Sequence, residues 1–362
     1  MPSHASWLVR KIPKRHNETS LELVSHSAKS PRLLNEPGIE AEFKKGKILN
    51  IALYCYNRIW KWQIIMIYQS GAEFRSALED QIRVVSFETG QTQIRLRKLA
   101  SIERFLAHLV TDTSYSWQLK GGFALQFRSG NRFQTPEDLD LLVFVPPQQV
   151  LRFLGQIGAT DLQDWFFFEV EASGSMDNQI ETGQRHFIIR TLLDGRDFET
   201  FHLNASMVEN GGWPAESFQM TGVFGFAGLA APVVPCCGLA WQAAEKFYTY
   251  IYPQDHRIFS KLEDLIDLLT IASLAEMDGA ELSQAIAASF KVHKATSIPH
   301  RIPEPPTSRE HAFKRKALEA DLVTADLAVA YRALKGYLEP ILTGSHSGKW
   351  DPIEWKWIVT QL

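Results

Sequence analysis

Apolar residues recur at helical spacing between Ala72 and Val110: Phe74, Leu78 and Ile82, then Leu99, Ile102, Phe105, Leu106 and Leu109. Positions three or four apart lie on one face of a helix, so this stretch predicts two amphipathic helices divided at Gly90. A continuous apolar run, Leu141-Leu142-Val143-Phe144-Val145, follows Asp138-Leu139-Asp140 and predicts a buried strand that Pro146-Pro147 stops. Gln148 to Gly155 predicts a short amphipathic helix. The β-rich runs His186–Leu192 and Phe198–Asn204 flank Asp194-Gly195, a hairpin pattern. On the second of these strands Phe198, Thr200, His202 and Asn204 should point one way. Pro232 and Pro235 mark a boundary, beyond which the period turns helical. Leu239, Ala243, Lys246, Phe247 and Tyr250 share one helix face. Leu262 to Leu274 form a second helix, with Asp264 and Asp267 three apart on one side. A proline-rich loop holds Pro299, Pro303, Pro305 and Pro306, and Ala312 to Leu342 is helical again. The tryptophan-rich tail from Trp350 to Leu362 should pack against the helical half.

At 362 residues the chain has room for two domains, and 45% apolar residues support a real core. The expected division is an N-terminal extension over 1–70, a catalytic domain over 71–230 and a helical C-terminal domain over 231–362. Residues 1–50 carry nine Lys/Arg against five Glu and read as a flexible basic tail. Ile48 to Tyr68 is apolar but interrupted by Asn50, Asn57, Arg58, Lys61 and Gln63, which falls short of a membrane span. The formal net charge of −3 argues against general polyanion binding, so a nucleic-acid surface would have to be local. Arg75, Arg83, Arg95, Arg97, Lys98 and Arg104 are the first candidates for one. They form either an ordinary solvated helix face or a phosphate-contacting ridge. The three cysteines, Cys55, Cys236 and Cys237, lack metal-ligand spacing and fit a reducing cytosol, and the eleven histidines form no H-x-x-x-H pair.

The chemistry concentrates in Lys120 to Asp140, which joins Gly121-Gly122 to Asp138 and Asp140 across a short basic segment. Strand alternation puts the two aspartates on one face. Two carboxylates so close repel unless a divalent cation neutralises them, and Mg²⁺ suits oxygen ligands of this kind. The glycines admit close approach of a triphosphate, and the N-terminus of a helix through Phe123-Ala124-Leu125-Gln126 favours anionic oxygens. A Gly pair alone is a tight turn, and an isolated D-x-D is a solvated strand end. The order of glycines, helix, Arg/Thr, D-x-D and apolar strand within one unit instead describes a nucleotidyltransferase site.

Three segments carry a family resemblance. Leu119 to Val143 is similar to K-G-G-x-A-L … R-x-S/T-x-D-[LI]-D-L. Ala243 to Tyr250, A-A-E-K-F-Y-T-Y, is similar to an E-K-L/F-x-A-Y helix, and Lys261 to Leu269 to R-x-K-D-L-x-D-L. In this order they resemble the AbiEii/AbiGii nucleotidyltransferase toxins, relatives of the MenT toxins within the polymerase-β-like superfamily. The resemblance runs from about Ala72 to the end. It implies an α/β (α+β) fold, with a small mixed-sheet nucleotidyltransferase domain and a helical C-terminal domain closing a cleft. It also implies site roles. Gly121 and Gly122 would hold nucleotide phosphates, and Asp138 and Asp140 would bind Mg²⁺, or Mn²⁺ in its place. Lys246 would reach the triphosphate, and Asp264 would line the cleft and orient that lysine or the nucleotide. Thr135 would cap the turn into the strand beside the nucleotide, and Arg132 would touch phosphate. Asp267 is left as a solvated helix residue. There are two departures. Asn204 stands at the third acidic position of the metal site, and Glu263 replaces the lysine of the K-D pair. A neutral amide coordinates Mg²⁺ less strongly and takes no proton.

The implied activity is transfer of a nucleoside monophosphate from an NTP to an RNA acceptor, a tRNA 3′ end. It would serve as the cytoplasmic toxin of a toxin–antitoxin or phage-defence pair, with a winged-helix antitoxin as partner and no membrane association. Two alternatives stay open on the residues. One is the same chemistry on a protein or small-molecule acceptor; the other is a degenerate nucleotide-binding module in which Asn204 has removed catalysis. Kinase-like transfer is weaker, since no G-x-G-x-x-G loop or H-R-D segment is present.

Overall fold

The computed structural model describes residues 68–129, 138–174, 184–207, 214–220, 222–252, 260–293, 295, 297–322, 324–344 and 348–358. The N-terminal extension up to residue 67, with Cys55, lies outside these residues, as do Arg132 and Thr135. Helices α1 (Gly71–Thr89) and α2 (Gln93–Leu109) form the predicted pair. Ser70 and Thr92 cap their first turns with side-chain oxygens, and Gly90 closes α1 in the left-handed region at φ 71°. Phe74, Leu78 and Ile82 face the core as their spacing requires.

Four of the six basic residues expected to form a ridge on these helices already have partners. Arg104 is buried and holds Asp164 at 2.6 Å, while Arg97 meets Glu79 at 2.6 Å and Arg83 meets Asp80 at 2.9 Å. Arg75 donates to the backbone carbonyls of Leu193 and Asp197 at 3.0 and 2.8 Å. Arg97 ties α2 to α1, Arg104 ties α2 to the turn before Phe166, Arg75 ties α1 to the β-hairpin, and Arg83 pairs within its own helix, so these four are not a row of free cations for RNA. Sequence spacing shows which residues share a turn, but not which carboxylates and carbonyls the fold brings to them.

A seven-stranded mixed sheet runs in the order β3-β4-β5-β2-β1-β7-β6. Its members are β1 (Trp117–Lys120), β2 (Asp138–Val143), β3 (Phe166–Ala172), β4 (Gln184–Leu193), β5 (Arg196–Met207), β6 (Ala215–Gln219) and β7 (Val233–Cys237). Helix α3 (Gly121–Ser129) follows β1 directly, and α4 (Val150–Gly158) starts two residues later than its pattern suggested. The β4–β5 turn has Asp194 and Gly195 at φ 55° and 68°, the two left-handed positions a tight hairpin twisted like its strands requires. A bulge skips Phe198, because Thr191 pairs with Glu199 and Leu192 with Asp197. Phe198 therefore turns into the core while Thr200 and His202 stay exposed, which corrects the single-face reading of that strand.

The buried apolar residues fall into two clusters. Leu139, Leu141 and Val143 of β2 enter the first, with α1, α2 and α4. Leu142, on the opposite face, enters the second with the helices that follow β7. These are α5 (Leu239–Ile251), α6 (Ser260–Leu274), α7 (Gly279–Val292), α8 (Glu310–Glu319) and α9 (Leu327–Leu342). The stretch expected as helical over Ala312–Leu342 is two helices, with α9 capped by Asp326. The described part of the tail, as far as Ile358, packs as expected. Short strands β8 (Met277–Asp278), β9 (Lys349–Asp351) and β10 (Lys356–Ile358) form a second sheet. Trp350 and Trp357 donate their ring N–H to the carbonyls of Ala272 and Tyr337 at 2.7 and 2.8 Å. Since β7 reaches Cys237, helices begin at Leu239.

Candidate active site

Asp138 and Asp140 open β2, each half-buried, with the fully buried Leu139 and Leu141 facing away from them. Alternation puts both carboxylates on the face of Leu142, the face the second cluster covers, and places them where that cover ends. Asp140 pairs across the sheet with Lys120 of β1 and with Asn204 of β5, and Asn204 pairs in turn with His186 of β4. Lys120, Asp140, Asn204 and His186 thus form one polar row over four adjacent strands. Asn204 Nδ2 donates to Asp140 Oδ1 at 3.0 Å. His186 Nδ1 lies 2.6 Å from Asn204 Oδ1.

Gly121 is required where it stands. Its φ is 66°, and a Cβ there would overlap Asp140 Oδ2. The chain can therefore turn from β1 into α3 directly over the carboxylate, and Gly122 occupies the first turn of that helix. Burial pushes the Asp140 carboxyl above its ordinary range. Lys120, the hydrogen bond from Asn204 and Lys246 oppose that rise, and Asp138 adds to it.

Facing the row, α5 and α6 supply Lys246 and Asp264. Lys246 Nζ lies 3.6 Å from Asp264 and 2.7 Å from Asp267, so the closer partner is the residue read as merely solvated. Burial works against the lysine's charge, but Asp267, Asp264 and Asp140 outweigh it and hold its pKa above the ordinary value. Burial pushes Asp264 up to about 6 despite Lys246. Glu263, the departure from the K-D pair, turns outward and meets Lys316 at 2.5 Å.

A cavity of about 200 Å³ lies between sheet and helices, and Lys120, Gly121, Asp140, Lys246 and Asp264 all line it. Four of the expected residues thus line one cavity, Gly121 and Asp140 from the sheet side and Lys246 and Asp264 from the helices; Gly122, Asp138 and Asn204 do not line it, though Asn204 reaches Asp140. Glu245, Gln242, Thr249 and His293 complete the helical side. Burial works against the charge of Glu245, but His293 at 3.3 Å, Lys120 and Ser289 at 2.7 Å prevail and hold its carboxyl below the ordinary range. Cys237, also in the wall, is pushed up to about 12 by burial and gives its S–H to Gln118. It is a thiol packed in place rather than a nucleophile.

Lys120 and Glu245 lay within the matched segments K-G-G and A-E-K but carried no role of their own. His186 and His293 had no local sequence sign. Among the described residues no group of three or more His, Cys, Asp or Glu side chains could hold a metal ion, and no helix is long and apolar enough to cross a membrane.

The sequence profile of the nucleotidyl transferase AbiEii toxin family, a type IV toxin–antitoxin system, matches residues 104–359. The chain belongs to this family. It is accordingly a nucleotidyltransferase, an enzyme that moves a nucleoside monophosphate from an NTP, and a member of a toxin family with an antitoxin partner. No curated protein matches the sequence. Among solved structures, this AbiEii family member is similar to the nucleotidyltransferase toxin MenT4 from Mycobacterium tuberculosis H37Rv, at 18% identity and a TM-score of 0.48 over 76% of this chain and 92% of that one. It is also similar to the antibiotic-resistance factor ANT(2'')-Ia, at 15% identity and a TM-score of 0.33 over 55% and 95%. A nucleotidyltransferase-like antigenic protein from Paracoccidioides brasiliensis is similar at 16% identity and a TM-score of 0.36 over 57% and 96%.

Proposed function

We propose that this chain is a two-lobed, Mg²⁺-dependent toxin that transfers a nucleoside monophosphate from an NTP to the 3′ end of a tRNA. The lobes would meet near residue 230, after the extension of residues 1–70. The observation that carries the chemistry is the convergence of Lys120, Gly121, Asp140, Lys246 and Asp264 on one cavity. Asp138 and Asp140 would hold the cation. Two carboxylates on one strand face suit Mg²⁺, which keeps several waters and completes its shell with substrate phosphates. Mn²⁺ would serve in its place. When bound, the cation neutralises the carboxylate pair and the triphosphate and favours ionisation of the attacking hydroxyl.

The protein's own groups do the rest. Gly121 and the first turn of α3 cradle phosphate oxygens with backbone N–H groups. Lys246, ionised and held by Asp264 and Asp267, stabilises charge that develops on the triphosphate as the acceptor oxygen attacks and pyrophosphate leaves. The matched family supports the toxin–antitoxin setting; the RNA acceptor, a winged-helix antitoxin as partner, a role in phage defence and action in the cytoplasm are what the motif resemblance implies. Incubating the purified protein with each α-labelled NTP, Mg²⁺ and total tRNA tests the reading. Labelled tRNA is expected. Label on a protein or small molecule would move the acceptor elsewhere, and NTP binding without incorporation would make this a degenerate module.

A further inference from the structure

We infer that His186 positions the Asp140 carboxylate through Asn204, and that Asn204 serves this chain as a fixed donor to Asp140 rather than as a cation ligand. The inference rests on the reading of Asp138 and Asp140 as the cation-binding pair. It follows from what each atom in the polar row can do. An ionised carboxylate only accepts hydrogen bonds, so the Asn204 atom 3.0 Å from Asp140 Oδ1 is the NH₂ group. The amide oxygen then faces the other way along the row, toward β4, where His186 Nδ1 lies at 2.6 Å. That nitrogen must carry a proton. Both the neutral Nδ1–H tautomer and the imidazolium carry one, so the contact holds whatever the charge of the ring.

A flipped amide would set its oxygen against the Asp140 carboxylate, acceptor against acceptor, and give its NH₂ to the His186 donor. The register Asp140–Asn204–His186 over β2, β5 and β4 therefore admits one orientation. Its consequence is chemical. Where a third carboxylate would add negative charge beside Asp138 and Asp140, this chain has a neutral donor that steadies the ionised form of Asp140. The amide oxygen, turned toward His186, is directed away from the carboxylates that hold the cation. His186 is thus a positioning residue of the kind that orients a metal ligand from behind.

Two measurements on the full-length protein test this. In metal-free protein labelled with ¹⁵N-asparagine, the Asn204 amide pair is assigned by its loss in Asn204→Asp. His186→Phe, which removes the donor at an exposed position, is expected to shift this pair and speed its exchange with solvent. His186→Gln still presents an N–H donor and is expected to leave the pair close to wild type. In single-turnover transfer, His186→Phe is expected to raise the Mg²⁺ needed for half-maximal rate, or lower the rate, on the order of 10- to 100-fold. The apparent KM for NTP should change little, and His186→Gln should recover most of the loss. An Asn204 pair identical in wild type and His186→Phe would overturn the inference, as would a glutamine variant as impaired as the phenylalanine one. Undiminished transfer by Asp140→Asn would instead sink the underlying site, while the metal-free spectrum would still decide whether His186 holds Asn204.

Discussion

Asp264→Asn is expected to make the protein more stable and less active at once. Asp264 sits on α6 almost fully buried, and its Oδ2 has no hydrogen-bond partner among the described residues. Burial raises its carboxyl from 3.8 to about 6, even with Lys246 3.6 Å away pulling it down. The sign follows from linkage. The folded pKa lies above the unfolded one, so between about pH 4 and 6 the native state keeps a proton that the unfolded chain releases, and stability falls as pH rises through that window. A shift of roughly two units corresponds to about 3 kcal/mol, the ceiling on what the charged form costs above pH 6. Asparagine has the shape of the protonated acid and does not titrate. At pH 8 the variant should therefore be more stable by about 1–3 kcal/mol, and the gap should shrink steadily toward pH 4.5. Urea denaturation of both proteins across that range measures it, alongside kcat/KM for NTP, which should drop because Lys246 loses one of the two carboxylates that aim it. A variant less stable than wild type at pH 8, or a gap independent of pH, would refute the reasoning by showing that attraction to Lys246 outweighs the burial of Asp264.

Two further outcomes follow from the same geometry. Asp140→Asn is expected to abolish Mg²⁺-dependent transfer without unfolding the protein, and to hold or raise thermal stability above neutral pH in the absence of metal. The reason is that burial and Asp138 already disfavour the Asp140 charge; a calorimetric scan and an incorporation assay would check it, and retained transfer would contradict the assignment. Lys246→Ala should lower kcat/KM for NTP on the order of a hundredfold, the scale of one transition-state donor. The acceptor KM should move little. Kinetics with the two substrates varied separately would expose an error if the loss fell on the acceptor.

Much of this protein was legible in the sequence because the relevant physics is local. Alternation along β2 put Asp138 and Asp140 on one face, Asp194-Gly195 specified the hairpin, and Gly90 ended α1. The family segments carried Lys246 and Asp264 to a shared cleft, and both line the cavity. What the sequence left open is set by pairing between distant strands and helices. The row from Lys120 to His186 exists because four strands align in one register, and no local period encodes which residue of β4 stands opposite Asn204. The bulge at Phe198 shifted one side chain to the other face, which pattern reading along a regular strand does not anticipate. Asp264 and Asp267 look alike on a helical wheel, yet only the approach of α5 makes Asp267 the nearer partner of Lys246 and leaves Asp264 buried with a raised pKa. Arg75, Arg97 and Arg104 of α1 and α2 met carbonyl or carboxylate partners on other elements for the same reason. A side chain's spacing tells which neighbours it has within its own element, but its charge state and role depend on groups that only the packed chain brings within a few ångströms.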